Sequence, residues 1–405
     1  MRQKIINDPV FGFITIPNEF IYSLIKHPFF QRLNRIKQLG LSSIVYPGAQ
    51  HTRFLHSIGA MFLMNEAIKQ LKQKEQNITE EESNAALAAI LMHDIGHGPF
   101  SHVLENTLVH GISHEEISIR LMQEINKELN GELDLAIEIF KDEYSKRFLH
   151  QLISGQLDVD RLDYLRRDSF FSGVTEGNIG SARIIKMLNV ANDNLVIEEK
   201  GIYSIENFLI ARRFMYWQVY YHKTSVAAEC MLIKILQRAQ ELAQQGVELF
   251  CSPALRYFLY NNVTKEKFTT EQEALQMFVS LDDSDILSAI KSWSNSSDKV
   301  LSVLSQRFIN RRLFKIEINS SSVLEKVKTD LIEKYSRYFD ISSHEASYFF
   351  CEEQVSTRTY NTEDENILIL FRNGETKDIA SSSDILNVNV LKTSVEKHYL
   401  CYTRI

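Results

Sequence analysis

Apolar residues recur along most of the 405-residue chain at the spacing of one face of an α-helix. Two helix starts are marked by capping boxes, in which a hydroxyl residue is followed three positions later by Glu. These boxes are Thr79 with Glu82 and Ser113 with Glu116. The other segments with helical spacing are 19–26, 29–39 and 53–74.

The helix that follows Thr79 runs to Met92 and into His93 and Asp94. The segment 96–99, Gly-His-Gly-Pro, then ends it, because neither glycine nor proline favours continuation. The sequence therefore predicts that the His-Asp pair lies at the C-terminal end of a helix.

Strand patterns are few and short. The pattern over 194–205 predicts a hairpin that turns at Lys200–Gly201, and the pattern over 365–380 predicts another at Asn373–Gly374. Alternating residues over 397–405 predict a final strand. The expected fold class is mainly α, with small β-hairpins or a small sheet.

The chain changes character near residue 245. Nearly all the His, Asp and Arg residues that could carry chemistry come before it, and amphipathic helices and the strand-rich tail come after it. The sequence has no internal repeat or Pro/Gly-rich linker. We expect two lobes, 1–245 and 246–405, the second serving as scaffold or assembly surface.

Charge and composition narrow the range of functions. A net charge of −7 and a pI near 6.0 argue against broad nucleic-acid binding, which needs clustered Lys and Arg. No apolar run reaches the roughly 20 residues of a membrane span, and the N-terminus lacks the apolar segment of a secretion signal. We expect a cytoplasmic protein.

The four cysteines are far apart in the sequence. Their positions show none of the paired spacing that marks a zinc knot or a disulfide framework. We expect reduced thiols at all four positions, which are Cys230, Cys251, Cys351 and Cys401.

Histidines are concentrated in one stretch of the chain. Neutral imidazole is a common metal ligand and aspartate adds an anionic oxygen, so the mixture suits a divalent transition metal or Mg²⁺. Any single histidine could equally be an ordinary packed residue. The HExxH zinc-protease pattern is not met, because Asp94 stands where Glu is needed. The clustered histidines are His51, His56, His93, His97, His102, His110 and His114.

Three segments resemble the H…HD…D signature of the HD-domain phosphohydrolases: HTRFLHSIG (51–59), LMHDIGHGPFSH (91–102) and LDVDRLDYLRRD (157–168). Within that superfamily, FQRLNRIKQLG (30–40) and YWQVYYHKT (216–224) resemble the dGTPase-like deoxynucleoside triphosphate triphosphohydrolases. The resemblance covers roughly residues 1–240 and implies a helical HD core. The helical C-terminal lobe is expected from the apolar pattern after residue 245.

The likeness implies one divalent ion per subunit, which could be Mn, Fe, Mg, Ni or Zn. Carried over position by position, its ligands are His56, His93, Asp94 and Asp160. Two imidazoles and two carboxylates leave coordination positions for water and a phosphate oxygen, so the ion can act as a Lewis acid. Without the motif, Asp160 could be an exposed acid in a charged helix.

The resemblance assigns phosphate contacts to Arg53, Arg161 and Arg212. A planar guanidinium suits phosphate oxygens, although a solvated surface ion pair is the alternative for each arginine. Asp168 is assigned to the sugar 3′-hydroxyl, and Tyr164 to the neighbourhood of sugar and phosphate.

The family's deoxyribose pocket corresponds to Gln38, Leu39 and Tyr220. Tight packing there would exclude a 2′-hydroxyl, although an apolar pocket rejects one added hydroxyl only about 100-fold. For Leu39 and Tyr220, ordinary core packing is the alternative.

The resemblance places three further histidines, His97, His102 and His114, beside the attacked phosphate. His102 is expected to protonate the departing 5′-oxygen, with Glu105 and His114 tuning its proton affinity. His114 could instead be a helix N-terminal residue with no chemical duty, since it follows the capping Ser113.

These residues imply that a metal-activated water attacks the α-phosphorus of a dNTP, releasing deoxynucleoside and inorganic tripolyphosphate. Two alternatives stay open. The HD site could act on another nucleotide or phosphoester, or the cavity could bind nucleotides as a sensor.

The resemblance also implies a homo-oligomer, dimer or tetramer, and a possible nucleotide effector. In the mammalian relatives, a guanine-reading aspartate and a supporting arginine bind an activator. This chain has Lys26 and Asn34 at those positions and keeps Gln31. Because Lys cannot accept hydrogen bonds from a guanine edge, we do not expect the same activation.

Overall fold

The structure is a computed structural model, which describes residues 4–100, 107, 109, 111–319, 322–323, 325–357, 360, 365–383 and 394–405. Two of the expected catalytic residues, His102 and Glu105, lie outside the described residues, as does His110.

Helices account for most of the described chain, so the expectation of a mainly α fold is confirmed. None of the described helices is long and apolar enough to cross a membrane. The helices are α1 (Glu19–Lys26), α2 (Pro28–Gln31), α3 (Arg53–Gln73), α4 (Glu80–Met92), α5 (His114–Glu128), α6 (Asp134–Phe140), α7 (Arg147–Gln151), α8 (Val159–Ser172), α9 (Ser181–Met187), α10 (Ile202–Met215), α11 (Lys223–Gln244), α12 (Pro253–Tyr260), α13 (Lys265–Thr270), α14 (Gln272–Ser280), α15 (Asp283–Trp293), α16 (Lys299–Ile309), α17 (Glu325–Phe339), α18 (Ser343–Ala346) and α19 (Ile379–Ser382).

The strands of the described residues form small sheets. β1 and β2 make an antiparallel hairpin, the order β3-β4-β7-β8 makes a mixed sheet, and β5-β9-β6 makes an antiparallel sheet. The strands are β1 (Ile5–Asp8), β2 (Gly12–Thr15), β3 (Leu188–Ala191), β4 (Asn194–Glu198), β5 (Lys315–Asn319), β6 (Phe350–Thr357), β7 (Leu368–Leu370), β8 (Thr376–Asp378) and β9 (Val395–Tyr402).

Several predicted elements are confirmed. Both capping boxes form, at Thr79 and at Ser113, and the helix from Arg53 ends at Gln73. The second hairpin turns around Gly374, and the final strand is β9. The sequence was sufficient at these places because capping boxes and turns are determined by residues only a few positions apart.

The predicted helix over 29–39 is wrong beyond residue 31. A short 3₁₀ turn follows α2, and the backbone then becomes extended at Ile36. The reason is tertiary: the fully buried Arg32 donates to the carbonyl oxygens of Ile95 and His97, at 3.1 and 2.6 Å, and of Leu281 at 3.3 Å. Three distant carbonyl groups thereby fix a segment whose apolar spacing favours a helix.

The predicted turn at Lys200–Gly201 is also wrong. The hairpin of β3 and β4 turns earlier, at Asn192 and Asp193, which both adopt positive φ angles. Asn and Asp tolerate that left-handed conformation, so they suit a two-residue hairpin turn. Gly201 lies at the start of α10, where an added Cβ would stand 2.5 Å from a methyl carbon of Ile197.

The core of the first lobe is built on α3, which packs against both α4 and α8. From Ala85 to Met92 every residue of α4 is buried, so this helix lies in the centre. Gly59 lets α3 and α8 approach closely, because a Cβ there would lie 2.0 Å from Oδ1 of Asp163 and 2.2 Å from Nη2 of Arg167.

The two predicted lobes share a sheet. Strand β4, before residue 245, pairs in parallel with β7, after it, through the register Val196 with Leu368. The boundary near 245 stays a prediction. The C-terminal part also contacts the signature segment 91–102, because Asp283 accepts from the backbone N–H of Phe100 at 2.9 Å.

Gly59→Ala tests the close approach of α3 and α8. Alanine normally stabilises a helix interior by about 1 kcal/mol relative to glycine, so any loss of stability must come from the clash. We expect a loss of about 2 kcal/mol in the free energy of unfolding, measured by urea denaturation.

Gly98→Ala is the matched control. A Cβ at Gly98 meets only the ring of Phe278, at an ordinary 3.6 Å. Its stability should change by less than about 0.5 kcal/mol. Equal effects of the two substitutions would contradict the steric explanation.

Candidate metal centre

Four potential metal ligands converge from three helices. His56 comes from α3, Asp160 from α8, and His93 and Asp94 from the C-terminal end of α4. The Nε2 of His56 lies 3.0 Å from Oδ1 of Asp160 and 3.6 Å from Oδ2 of Asp94. The Nε2 of His93 lies 3.4 Å from a carboxylate oxygen of each aspartate. Ligand atoms about 2.1 Å from one ion stand about this far apart.

The two imidazoles direct the same nitrogen to one point. Their Nε2 atoms are 3.3 Å apart. The Nδ1 of His56 lies 2.7 Å from Oδ2 of Asp163, and the Nδ1 of His93 lies 2.6 Å from the carbonyl oxygen of Ile90. Since these acceptors hold a proton on Nδ1, each ring presents an Nε2 lone pair to the centre once its Nε2 proton is displaced. A cation there satisfies both lone pairs.

The surrounding charges favour a cation. Burial opposes charge on His56, but hydrogen bonds to Asp160 and Asp163 raise its pKa to about 10. Against the same burial, the charge of Asp94 and a hydrogen bond to Asp160 raise the pKa of His93. The pKa of Asp94 is lowered well below its usual value, by the charge of His93, although burial opposes this. A divalent ion would take the place of protons held by this cluster.

Asp94 also belongs to a second group of possible ligands, with His97 and His114. The rings of the two histidines stack, with centroids 4.0 Å apart and an angle of 16° between planes. The Nε2 of His97 lies 3.3 Å from Oδ1 of Asp94. Burial and the charge of Arg53 lower the pKa of His97, so its ring is neutral at neutral pH.

A cavity of about 430 Å³ opens beside this cluster. It is of the size that holds a small ligand. Ten of the residues predicted for the site line it: Gln38, Leu39, Arg53, Asp94, His97, His114, Asp160, Tyr164, Asp168 and Tyr220. His56, His93, Arg161 and Arg212 are not among its lining residues.

Comparison with known proteins agrees with this geometry. The family model described as HD domain matches residues 53–168, and the model described as HD associated region matches residues 179–250. Uncharacterized protein YwfO of Bacillus subtilis is 33% identical over 95% of this chain and 89% of its own length. The chain belongs to the HD-domain family.

Two further relatives bear on function. A crystallised phosphohydrolase from Bacteroides thetaiotaomicron is 60% identical, covers 100% of both chains and superposes with a TM-score of 0.97. The deoxynucleoside triphosphate triphosphohydrolase SAMHD1 homolog of Dictyostelium discoideum is 30% identical over 61% of this chain and 51% of its own length. The protein is an HD-type phosphohydrolase.

The HD loop that carries the ligands is fixed by its neighbours. The Oγ of Ser118 donates to the carbonyl oxygen of His93 at 2.7 Å and accepts from the backbone N–H of Gly96 at 2.9 Å. A Cβ at Gly96 would lie 2.1 Å from the carbonyl oxygen of His114, so only glycine allows this contact. Arg32 also donates to the carbonyl oxygens of Ile95 and His97 in this loop, which covers residues 93–98. These contacts fix the position of the HD pair before any ligand binds.

The three arginines differ in position. Arg53 is 4% exposed and forms an ion pair with Asp94 at the cavity wall, so the surface ion pair considered for it does not apply. Arg161 donates to the carbonyl oxygen of Gly155 at 2.7 Å and is paired with Asp158. The buried Arg212 donates to Oε1 of Gln156 at 3.2 Å, in the same region of the HD domain.

Asp168 is held on the cavity wall by two partners. Its Oδ1 lies 2.7 Å from Nε2 of the buried His51, and its Oδ2 accepts from the hydroxyl of Tyr220 at 2.9 Å. The side-chain oxygen of Gln38 is buried and has no hydrogen-bond partner among the described residues. That oxygen is therefore available to a ligand in the cavity.

Several lining residues of the HD-domain cavity were not predicted. Tyr216 and Tyr221 belong to the aromatic run that carried the family resemblance, and a π-helical segment over 216–220 brings part of this run to the wall. Although burial acts the other way, the charges of Arg212 and Arg161 lower the pKa of Tyr216. Gly40 and Phe100 also line the cavity and belong to the segments 30–40 and 91–102 that carried the resemblance. Ser42 and Glu229 line it without a local sequence signal.

Asp163→Asn tests the orientation of His56. The change removes the anionic acceptor that holds the Nδ1 proton, so the affinity for Mn²⁺ should fall about 10- to 100-fold. Calorimetric titration of Mn²⁺ into the metal-stripped protein at pH 7 measures it.

Asp8→Asn serves as the control. Asp8 and Asp163 both pair with Arg167, but of these two carboxylates only Asp163 contacts His56. Asp8→Asn should leave Mn²⁺ affinity within about twofold of the parent. A similar loss in both variants would assign the effect to Arg167 instead of His56.

Proposed function

We propose that this HD-domain phosphohydrolase hydrolyses deoxynucleoside triphosphates to deoxynucleoside and inorganic tripolyphosphate. The observation that carries the proposal is the convergence of two Nε2 lone pairs and two carboxylates beside a cavity of nucleotide dimensions. The donor set of imidazole and carboxylate fits a divalent ion of the Mn, Fe, Mg, Ni or Zn type. The resemblance to the triphosphohydrolase of Dictyostelium discoideum supports the substrate class.

His56, His93 and Asp94 form one group of possible ligands, and Asp160, which contacts both imidazoles, would complete the set that holds the ion. When bound, it supplies Lewis acidity and lowers the pKa of a water molecule. Arg53 lies on the wall next to Asp94, where its guanidinium would neutralise charge that develops on a phosphate group.

The histidines beside the centre handle protons and phosphate contacts. His97 is neutral, so its ring carries one donor and one acceptor nitrogen, and the stacked His114 limits its rotation. We propose that His102 protonates the departing 5′-oxygen and that Glu105 and His114 tune it. His102 and Glu105 lie outside the described residues.

Sugar recognition is assigned to the part of the cavity wall that contains Asp168. Its carboxylate is already oriented by His51 and Tyr220, which prepares it to accept from a 3′-hydroxyl. Leu39 and Tyr220 would pack where a 2′-hydroxyl would stand, and Gln38 offers its free acceptor. This arrangement favours deoxyribose over ribose.

Arg161 and Arg212 are proposed as phosphate-binding residues that act from behind the aromatic wall. Both charges reach Tyr164 and Tyr216, which line the cavity. Tyr164 also lies one helical turn beyond Arg161 on α8, so the two residues share a face. The two arginines would therefore favour triphosphate binding through the positive electrostatic potential that they produce behind the rings of Tyr164 and Tyr216.

Regulation differs from that of the mammalian relatives in this proposal. Lys26 stacks over the ring of Tyr22 at 4.8 Å, and Asn34 donates to Gln31 at 3.2 Å, so neither offers a carboxylate to a guanine edge. A different nucleotide effector, and assembly into a dimer or tetramer, stay predictions.

The decisive experiment incubates the protein with each dNTP and NTP in the presence of Mn²⁺ and separates the products by ion-exchange chromatography. We expect deoxynucleoside and tripolyphosphate in equal amounts from dNTPs. Asp94→Ala should lower the rate by about 100-fold or more while the protein stays folded. Exposed Asp142→Asn is the control and should keep full activity.

Two outcomes would contradict the proposal. Orthophosphate or pyrophosphate as the product would identify a phosphohydrolase of another specificity. Stoichiometric nucleotide binding without turnover in Mn²⁺, Mg²⁺ and Fe²⁺ would identify a sensor.

The pH dependence of substrate binding gives a separate test at Glu229. Burial, and then the charge of Glu353, raise the pKa of Glu229 to about 8. The carboxyl is therefore neutral below that pH and anionic above it, where it repels a triphosphate in the cavity that it lines. KM for the dNTP should rise as pH passes from 7 to 9.

Glu229→Gln keeps the shape of the side chain and cannot ionise. Its KM should stay flat over the same pH range, with a value near that of the parent protein at pH 7. The same dependence of KM on pH in both proteins would show that ionisation of Glu229 does not cause the rise.

A further inference from the structure

Three cysteines that are far apart in the sequence meet in the interior. They are Cys230 on α11, Cys351 on β6 and Cys401 on β9. Their sulfur atoms all lie within 4.8 Å of one another, and those of Cys230 and Cys401 are 3.5 Å apart. Cys351 and Cys401 are directly opposed on antiparallel neighbouring strands. All three are free thiols.

The sulfur spacing fits metal coordination better than a disulfide. Three thiolates about 2.3 Å from one tetrahedral zinc ion stand about 3.8 Å apart. A disulfide needs a sulfur–sulfur distance of about 2.0 Å, so Cys230 and Cys401 would have to close by roughly 1.5 Å. Both side chains are almost fully buried, where such a movement disturbs the packing.

We propose that Cys230, Cys351 and Cys401 form a thiolate site for one zinc ion, separate from the HD metal centre. Soft thiolate sulfur selects zinc or copper(I), whereas the imidazole and carboxylate set of the HD centre suits harder ions. The ion displaces the thiol protons and leaves three charged sulfurs bound to it.

A positive charge near the cluster favours thiolate formation. Lys234 lies one helical turn after Cys230 on α11, and its charge acts on Cys351. A cation beside the sulfurs offsets part of the negative charge of three thiolates.

Glu353 lies near the cluster, although it is not part of the group formed by the three sulfurs. It lies two residues after Cys351 on β6, so both side chains stand on the same face of the strand. Burial, and then the charge of Cys351, raise the pKa of Glu353, which places the two groups close together. A carboxylate oxygen or a water molecule completes a tetrahedral site of three sulfurs.

The ion would fasten the end of the chain to the wall of the HD cavity. Cys401 belongs to the last strand, 171 residues from Cys230. Glu229, which lines the cavity, directly precedes Cys230 on α11. Because zinc binds only the folded arrangement, saturating zinc should raise the unfolding temperature by about 5 °C.

Cobalt(II) substitution tests the site in the full-length, reduced, metal-stripped protein. Thiolate ligands give cobalt(II) an intense near-ultraviolet sulfur-to-metal charge-transfer band, which the nitrogen and oxygen ligands of the HD centre cannot give. We expect this band to saturate within two equivalents, because the HD centre also takes up cobalt, and to disappear when two equivalents of Zn²⁺ are added.

Variants locate the band. Cys401→Ser and Cys351→Ser should each abolish it. Cys251→Ser, in the cysteine that lies outside the cluster, should keep it. Asp94→Ala removes a ligand of the HD centre and should keep it too, so the outcome does not depend on the proposed hydrolysis.

The parent protein provides the first decision, and it needs no variant. Absence of the near-ultraviolet band on cobalt addition overturns the proposal, as does a band that persists in both Cys401→Ser and Cys351→Ser. If Cys401→Ser does not fold, the half-buried Cys351 supplies the deciding variant. Thiol titration that finds a disulfide within the cluster of the metal-free protein, after removal of reductant, also counts against zinc.

Discussion

The buried carboxylate of Asp163 makes the contacts on which the geometry of the candidate metal centre depends. It holds the Nδ1 of His56 with one oxygen and pairs with Arg167 through both, in a position without solvent exposure. A buried charge of this kind is costly unless every partner is in place. Gly59 allows the helices to come close enough for these partners to meet, so a backbone detail of α3 decides where an imidazole nitrogen points.

Residues after 245 also shape the site, although no catalytic motif lies among them. Asp283 accepts from the backbone N–H of Phe100 at 2.9 Å and of Lys37 at 3.0 Å, so one carboxylate ties together two segments that border the cavity. Arg32 connects the HD loop to the carbonyl oxygen of Leu281. The C-terminal part therefore holds the HD loop in place before a ligand binds. Such preorganisation lowers the free-energy cost of ordering the site on binding.

The proposed metal sites illustrate how ligand type separates two ions in one chain. Imidazole and carboxylate meet at the open HD centre, where coordination positions face a cavity. The three thiols meet under α11, where Cys230 and Cys401 are almost fully buried. An open site suits chemistry and a closed site suits structure, because only the first leaves room for substrate.

The sequence by itself determined the local features: the capped start of α4 at Thr79 and the HD pair at its end. It also supplied the four residues that we propose as metal ligands. It also carried the resemblance that defines the family. These features depend on residue types a few positions apart or on a motif. The sequence failed at 29–39, where Arg32 overrides helical spacing, and it could not bring Cys230 to Cys401 or Glu229 to the cavity. Only the tertiary structure decided these contacts, since they join side chains whose separation along the chain carries no local signal.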